Sequence, residues 1–500
     1  MNNIAKIIAQ VITDGYYVGG CVRDALLKRQ SGDIDIALPK EAVKPAALAL
    51  AKKLKAAAFE MDAEFGVWRV ITRKENLQID LTAYQGKTFE DDLKRRDFTV
   101  NALAYPVQKP LDIKVIVKDG RTSVKITKLK PAELVDIVKG VKDLKAKTIR
   151  SNSESVFKDD PIRTLRAVRT AAELNFKIAP ATALQIKKHA KLITKSAGER
   201  TREELVRIFN CADSFKYIEL MDKLGLLTAL FPLLEDQRKC AEVYYGKGGV
   251  FKHTMQVVRR MEELLNNPKI IFPKYYKKLQ PFLEHPSIYK VTALLHDIAK
   301  PATAKMVDGR LRFFFHEEIG ARMAEDILKN LRYSTADIRL ISAMIREHLR
   351  PSNLASNDIL TDRGIYKFFR DMGDAGVPML MLCWADYASY VTDKELAKIL
   401  PLTTKRVMTI DESKDHGNVS KTLRHMQVLN FMLKKYFEQA PKINPPKIID
   451  GKEIMKALEL KPGPLVGELL EAVAIAQVEG KVKTKADAIA FLKNQGVTTK

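Results

Sequence analysis

The stretch that most constrains this chain is residues 18–36, VGGCVRDALLKRQSGDIDI. A Gly-Gly pair opens an apolar-periodic segment, and a short strand pattern follows that carries Asp33 and Asp35 two residues apart. Side chains alternate across a strand, so both carboxylates face one way. With apolar Ile34 between them they make a hard oxygen site suited to Mg²⁺. Gly19 and Gly20 at a helix start let backbone N–H groups approach an anion closely. A diglycine alone is most often a turn, and Asp-x-Asp alone is most often surface. A phosphate cradle and a metal clamp at this spacing together point to nucleotidyl transfer.

A chain of 500 residues is too long for one core, and about three or four domains are expected. The head reads as strand 15–19, helix 21–29, strand 33–38, helix 43–56, and strands 66–72 and 77–84, a mixed α/β pattern with a small antiparallel-type sheet. From about 130 to 235 the apolar spacing turns helical, and it stays so over 240–395, apart from the basic, proline-bearing loop 271–286. Residues 439–451 read as a linker before a last helical module. No apolar run is long enough to span a membrane, and the first residues, MNNIAKIIAQVI, lack the pattern of a secretory signal. The four scattered cysteines fit reduced thiols in a cytoplasm. A net charge of +24 favours a polyanionic partner, nucleic acid before anionic membrane, with lysine-rich solubility as the bland alternative.

Asp80, in LQIDLTAY, lies on a second strand pattern; it is either an ordinary strand-end residue or the third carboxylate of a two-metal site. Arg23 can reach a triphosphate, whereas Asp24 reads as half of an exposed helix ion pair. In LKRRDFTVNALAY, polar Arg95, Arg96, Asp97 and Asn101 are laid into an apolar frame, which suits a binding site or a salt-bridged junction. In FKDDPIRTLRAVR, Pro161 suits a first helical turn, and Asp160 and Arg163 are placed to share a face as acceptor and donor. Such a pair matches the pairing edges of cytosine and adenine and mismatches uracil and guanine. By itself it reads as a helix-cap ion pair.

These segments resemble the class II tRNA nucleotidyltransferase and bacterial poly(A) polymerase family, of the polymerase-β superfamily. GGCVRDALL…GDIDI is similar to its catalytic motif, QIDLTAY to the next, RRDFTVNALAY to its head–neck motif, DDPIRTLRAVRTAA to its nucleotide-templating motif, and ERTREEL (199–205) to the motif after it. The resemblance implies an α+β head with a polymerase-β-like sheet over 1–130. A mostly helical neck would follow over 131–238, an HD body over 239–395 and a helical tail over 396–500. It implies Asp33, Asp35 and Asp80 as catalytic acids on Mg²⁺, and Asp160 and Arg163 as selectors of CTP and ATP. Gly19, Gly20, Arg23, Arg96, Asp97 and Asn101 complete the expected nucleotide site. Asp159-Asp160 stands where the family has Glu-Asp, and Gln85 where it has Arg. The segment between Asp80 and Arg95 is short, as in CC-adding members. CCA addition to tRNA is the first expectation; CC-only and poly(A) addition are the alternatives within the family.

In the second half, His253, His296-Asp297 and Asp386 fall in an order that resembles the HD metal-dependent phosphohydrolases. A mixed imidazole and carboxylate set suits a transition metal such as Ni²⁺ or Mn²⁺. His316 and His348 would extend it to a second metal, or are ordinary histidines. An HD phosphohydrolase whose head merely binds RNA is therefore the alternative from another class. In the tail, Lys461, Gly463 and Gly467 suit either an RNA phosphate at a helix start or a tight turn, and family likeness favours tRNA contact. Lys481, Lys483 and Lys485 would add to that contact.

Overall fold

The computed structural model describes residues 4–356, 360–414 and 417–494. The chain divides into two compact units, residues 1–208 with 217–230, and 209–216 with 231–500. Among the described residues no helix is long and apolar enough to cross a membrane.

The first unit is built on six strands: β1 (Tyr16–Val18), β2 (Ile34–Leu38), β3 (Ala56–Asp62), β4 (Val67–Thr72), β5 (Gln78–Ala83) and β6 (Ala104–Pro106). Their order is β3-β4-β5-β2-β1-β6. The sheet is mixed rather than antiparallel, because β2 and β5 run parallel while the other neighbours are antiparallel. Alternation buries Ile34 and Ile36 on β2 and Ile79 and Leu81 on β5, and turns Asp35 and Asp80 to the other face. Helix α1 (Gly20–Leu26) lies between β1 and β2, and α2 (Lys40–Leu54) between β2 and β3. The helix expected to reach residue 56 stops at Lys55, which turns left-handed at φ 51, and AAAFEMD pairs with β4 instead. That run favours a helix locally; the open edge of β4 overrides it.

After β5 the chain turns within residues 84–88 into α3 (Phe89–Arg95), which a Thr88–Asp91 capping box starts. A hairpin, β7 (Asp112–Lys118) and β8 (Arg121–Thr127), follows β6 and has no counterpart in the expected pattern. Two helices matter beyond it, α4 (Arg163–Leu174) and α5 (Gly198–Phe209).

The second unit is almost wholly helical. Helix α6 (Gly249–Asn266) packs with α7 (Pro286–Leu295) and α10 (Gly376–Ala388). Every residue of α7 from Ser287 to Leu295 is buried, and α10 is buried nearly all round, as its continuous apolar sequence requires. Between them come a hairpin, β9 (Ala304–Val307) and β10 (Arg310–Phe313), then α8 (His316–Asn330) and α9 (Thr335–Arg346). Residues 271–286, expected as a loop, contain the short helix Tyr276–Leu279 and the tighter helical turn Gln280–Leu283. Helix α11 (Gly417–Glu438) precedes α12 (Gly451–Leu458), α13 (Pro464–Val478) and α14 (Lys485–Asn494). The last three close on Ile454, Leu469, Val473, Ala488 and Leu492.

Candidate active site

In the first unit a cavity of about 810 Å³ is lined by Gly19, Gly20, Arg23, Asp33, Asp35, Arg96, Asp97, Asn101 and Arg163. The parallel register sets Asp35 beside Asp80, and Asp33 lies one residue before β2. Burial, then the charges of Asp33 and Asp80, push Asp35 up to about 7. Burial and Asp80 likewise raise Asp33. Carboxylates that repel one another in a half-buried site are relieved by a divalent cation, so this donor set fits Mg²⁺. Asp80 does not line the cavity. Arg69 donates to both of its oxygens, from Nε at 2.8 Å and Nη2 at 2.7 Å.

Gly19 stands at φ +71, and a Cβ there would lie 3.3 Å from Arg96 Nη1 and 3.6 Å from Asp35 Oδ2. Its N–H, expected to face an anion, instead donates to the Leu103 carbonyl at 3.3 Å. Gly20 begins α1, and a Cβ there would meet Arg23 Nη2 at 3.7 Å, an ordinary contact. Asp24 is not exposed as expected: Arg23 and Asp24 are each 8% accessible and joined at 2.9 Å. Arg23 Nη1 donates to Asn101 Oδ1 at 2.7 Å, and Asn101 Nδ2 donates to Asp97 Oδ1 at 3.1 Å. Arg166 meets Asp97 at 3.5 Å and Glu204 at 3.4 Å, while Arg169 reaches Glu204 at 2.5 Å and Glu173 at 2.8 Å. Arg96, Asp97 and Asn101 are thus cavity wall, and Asp97 and Asn101 also belong to this relay; Arg95 is exposed and is not among the cavity residues.

Asp160 and Arg163 do not share a helical face. The residue before a proline is driven to extended backbone, and Asp160 adopts φ −146 and ψ 101 after the short helix Val156–Asp159. Pro161 lies in the turn before α4, not in its first helical position. Asp160 is gripped by Arg200 at 2.8 and 3.4 Å and is not among the cavity residues. Arg163 does line the cavity, and its buried Nε has no hydrogen-bond partner.

The second unit gathers six side chains. His253, His296 and Asp386 offer ligand atoms within 4.8 Å of one another, and so do Asp297, His316 and His348. His296, His316 and His348 each direct Nδ1 at a backbone carbonyl, at 2.8, 2.8 and 2.7 Å. A carbonyl only accepts, so Nδ1 carries a proton and, in the neutral ring, Nε2 keeps a lone pair. His253 Nδ1 donates to Ser389 Oγ at 3.0 Å, since that hydroxyl spends its own proton on the Asp386 carbonyl at 2.6 Å. His253 Nε2, His296 Nε2, His316 Nε2, Asp297 Oδ1 and Asp386 Oδ1 are buried without hydrogen-bond donors, while Asp297 Oδ2 is held by the Lys300 ammonium. Orphaned nitrogen and oxygen lone pairs converging in one place fit transition-metal ions. Burial tends to raise Asp297, but the charges of His296 and Lys300 hold it well below the usual carboxylate range. Lys300 Nζ stands 2.6 Å from Asp297 and 2.9 Å from the Tyr245 hydroxyl. Burial pushes His348 down to about 4, which keeps it a neutral ligand.

Family models match along the chain: a poly(A) polymerase head domain over 15–150, an RNA-binding region of polymerase A over 175–238, an HD domain over 250–389, and a tRNA nucleotidyltransferase domain over 420–492. An A-adding tRNA nucleotidyltransferase of Deinococcus radiodurans is 30% identical over 95% of this chain and 94% of its own length. The chain belongs to the tRNA nucleotidyltransferase and poly(A) polymerase family. It is an enzyme of that family and carries its HD domain. A CC-adding enzyme of Geobacter sulfurreducens is 27% identical over 99% of this chain and 96% of its own. A CCA-adding enzyme solved with ATP shares the fold at a TM-score of 0.61 and 18% identity, over 99% of this chain and 93% of that one.

In this family member, sequence reasoning missed the relay of Arg166, Arg169, Glu173 and Glu204; arginines at 163, 166 and 169, one helical face, were its signal. It also missed Lys300, three residues after Asp297. In the tail, Gly463 is the uncapped residue before α13, Gly467 lies within that helix's first turn with open space around it, and Lys461 is exposed. Of the tail lysines, Lys481 is paired with Glu479 and Lys485 with Glu453.

Proposed function

We propose that this protein transfers cytidylate from CTP to the 3′ end of tRNA in the cytoplasm. The observation that carries the reading is the pair Asp33, just before β2, and Asp35 on it, both driven to higher proton affinity by burial and the charge of Asp80, with Asp33 adding to the rise of Asp35. Asp33 and Asp35, with Asp80 as third candidate, would hold Mg²⁺, which supplies charge neutralisation along a triphosphate. Arg23, Arg96 and the backbone at Gly20, all lining the cavity, would receive that triphosphate. Asn101 and Asp97 orient Arg23 and Arg166 around it. The unpartnered Arg163 Nε is a donor for a base edge, and Asp160 would join it on leaving Arg200. The RNA 3′-hydroxyl attacks the α-phosphorus, the bond to the bridging oxygen breaks, and pyrophosphate leaves. Lys461, Gly463 and Gly467 are candidate RNA contacts in the tail. The four-part division at 130, 238 and 395 is the functional map we adopt.

Two relatives that span the chain are an A-adding and a CC-adding tRNA nucleotidyltransferase. The turn 84–88 is short and braced: Gln85 N–H donates to Asp92 at 3.0 Å, its side chain donates to the Phe65 and Ala83 carbonyls, and Asp91 ties Lys87 and Thr88. This favours addition that stops after CC over the whole triplet. The test is product length on tRNA lacking its 3′ end, with CTP and ATP given separately and together. Two cytidines without a following A are expected; a full CCA or a poly(A) tract overturns the CC reading. Asp33→Ala with Asp35→Ala abolishes incorporation, and Arg163→Ala admits UTP and GTP. Incorporation that survives the double substitution ends the metal assignment.

For the second centre, the orphaned lone pairs support a metal-dependent phosphoester hydrolase. With Ni²⁺ or Mn²⁺ added, hydrolysis of a 2′,3′-cyclic phosphate is expected and His296→Ala eliminates it. Equal hydrolysis by wild type and variant removes the assignment.

A further inference from the structure

The geometry points to a clamp for single-stranded RNA built from the hairpin β9–β10 and the two phenylalanines after it, which makes the second centre select a polynucleotide terminus over a mononucleotide. The inference rests on the hydrolase reading of that centre and adds the residues that choose its substrate. Phe315 stands at φ 61, left-handed backbone that a bulky side chain rarely adopts, yet its ring is 64% exposed. Burial therefore does not repay that conformation. The residue directly precedes His316, and Phe314 beside it is 54% exposed. Across the cluster, the ring of Tyr390, itself 42% exposed, lies 5.1 Å from that of His253. Exposed rings thus flank the candidate ligands on two sides.

The hairpin supplies the charge. Its register pairs Lys305 with Arg312 and Val307 with Arg310, which sets Lys305, Arg310 and Arg312 on one exposed face. Among the described residues none of these three is in an ion pair. The opposite face carries Met306, Leu311 and Phe313. The Phe313 ring lies 6.4 Å from that of His316 and 5.6 Å from Lys300 Nζ. Tyr244 Oη bonds both the N–H and the carbonyl of Leu311 at 3.1 Å, which fixes the hairpin beside the cluster. Rings for bases and unpaired cations along one strand are the two elements of single-strand recognition. An apolar peptide would use the rings and leave three cations without counter-charges.

The test uses full-length protein and a short oligoribonucleotide that ends in a 2′,3′-cyclic phosphate and carries 2-aminopurine at its last base. Stacking quenches the fluorescence, and this readout needs no turnover. Phe314→Leu with Phe315→Leu is expected to weaken binding about tenfold. Phe315→Trp retains it, and Phe315→Gly, which suits left-handed backbone, matches the leucine variant if the ring alone matters. Removing Lys305, Arg310 and Arg312 should lower the salt slope by about 2. In turnover assays the leucine pair raises KM for the oligonucleotide, with kcat nearly unchanged, more than for a cyclic mononucleotide. Absent quenching, or equal binding by the leucine pair, overturns the clamp. So does equal KM for oligonucleotide and mononucleotide with hydrolysis intact, which leaves the hydrolase standing. Quenching that depends on Phe315 without hydrolysis of either substrate supports the clamp and ends the hydrolase reading.

Discussion

Asp35 shows how one residue ties the head's chemistry to pH. Burial and the charges of Asp33 and Asp80 push it up to about 7. Between about pH 4 and pH 7 the folded protein therefore keeps a proton that the unfolded chain has released. Fewer protons on the unfolded state mean that stability falls as pH rises through that window, by at most about 1.4 kcal/mol per pH unit. A bound cation expels the proton, so Mg²⁺ should stabilise the protein more at about pH 7.5 than at about pH 5.5. Melting curves with Mg²⁺ or with chelator at the two pH values measure this, and Asp35→Asn should flatten the difference. Equal Mg²⁺ stabilisation at both pH values would show that Asp35 is not on the ion. The alternation that places Asp35 was legible from Asp-Ile-Asp alone. The grip of Arg69 on Asp80 was not, because it needs β4 beside β5.

Among the elements, the placement of the candidate ligands depends on how closely helices seat. Helix α6 brings His253 to the cluster, and it begins at Gly249, φ +53, against the carbonyls of Cys240 and Gln237. A Cβ there would lie 2.7 Å from the Gln237 oxygen and nearer still to that of Cys240. Gly249→Ala should therefore cost about 3 kcal/mol. The expected signature is a lower melting temperature and lost phosphoester hydrolysis with CTP incorporation kept; unchanged melting would show that the loop before α6 yields. Helices with a strong apolar period, such as α4 and α6, were readable from spacing. The strand β3 and the hairpins β7–β8 and β9–β10 were not, since each is specified by its partner strand. Asp160 failed for a local reason: a helical period was carried back across Pro161, where the backbone is extended.

Over the whole molecule the excess of 24 positive charges sets the expected energetics of RNA binding. Affinity for tRNA should fall about a hundredfold between about 50 and 200 mM salt, the loss from counterion release at about four phosphates. A filter-binding salt series checks this, and a flat series would remove the backbone-contact reading. Read alone, the amino-acid sequence was enough for the family and the order of its matched regions, and it put forward Asp33 and Asp35 as candidate acids, because these rest on motifs and on periods of two and 3.6 that are local. It took the folded chain to show that His316 and His348 gather with Asp297 beside the group of His253, His296 and Asp386, that Arg166 and Arg169 link α4 to Asp97 and Glu204, and that Asp160 faces Arg200. These groups lie tens of residues apart, and their meeting depends on packing between elements, which no local pattern encodes.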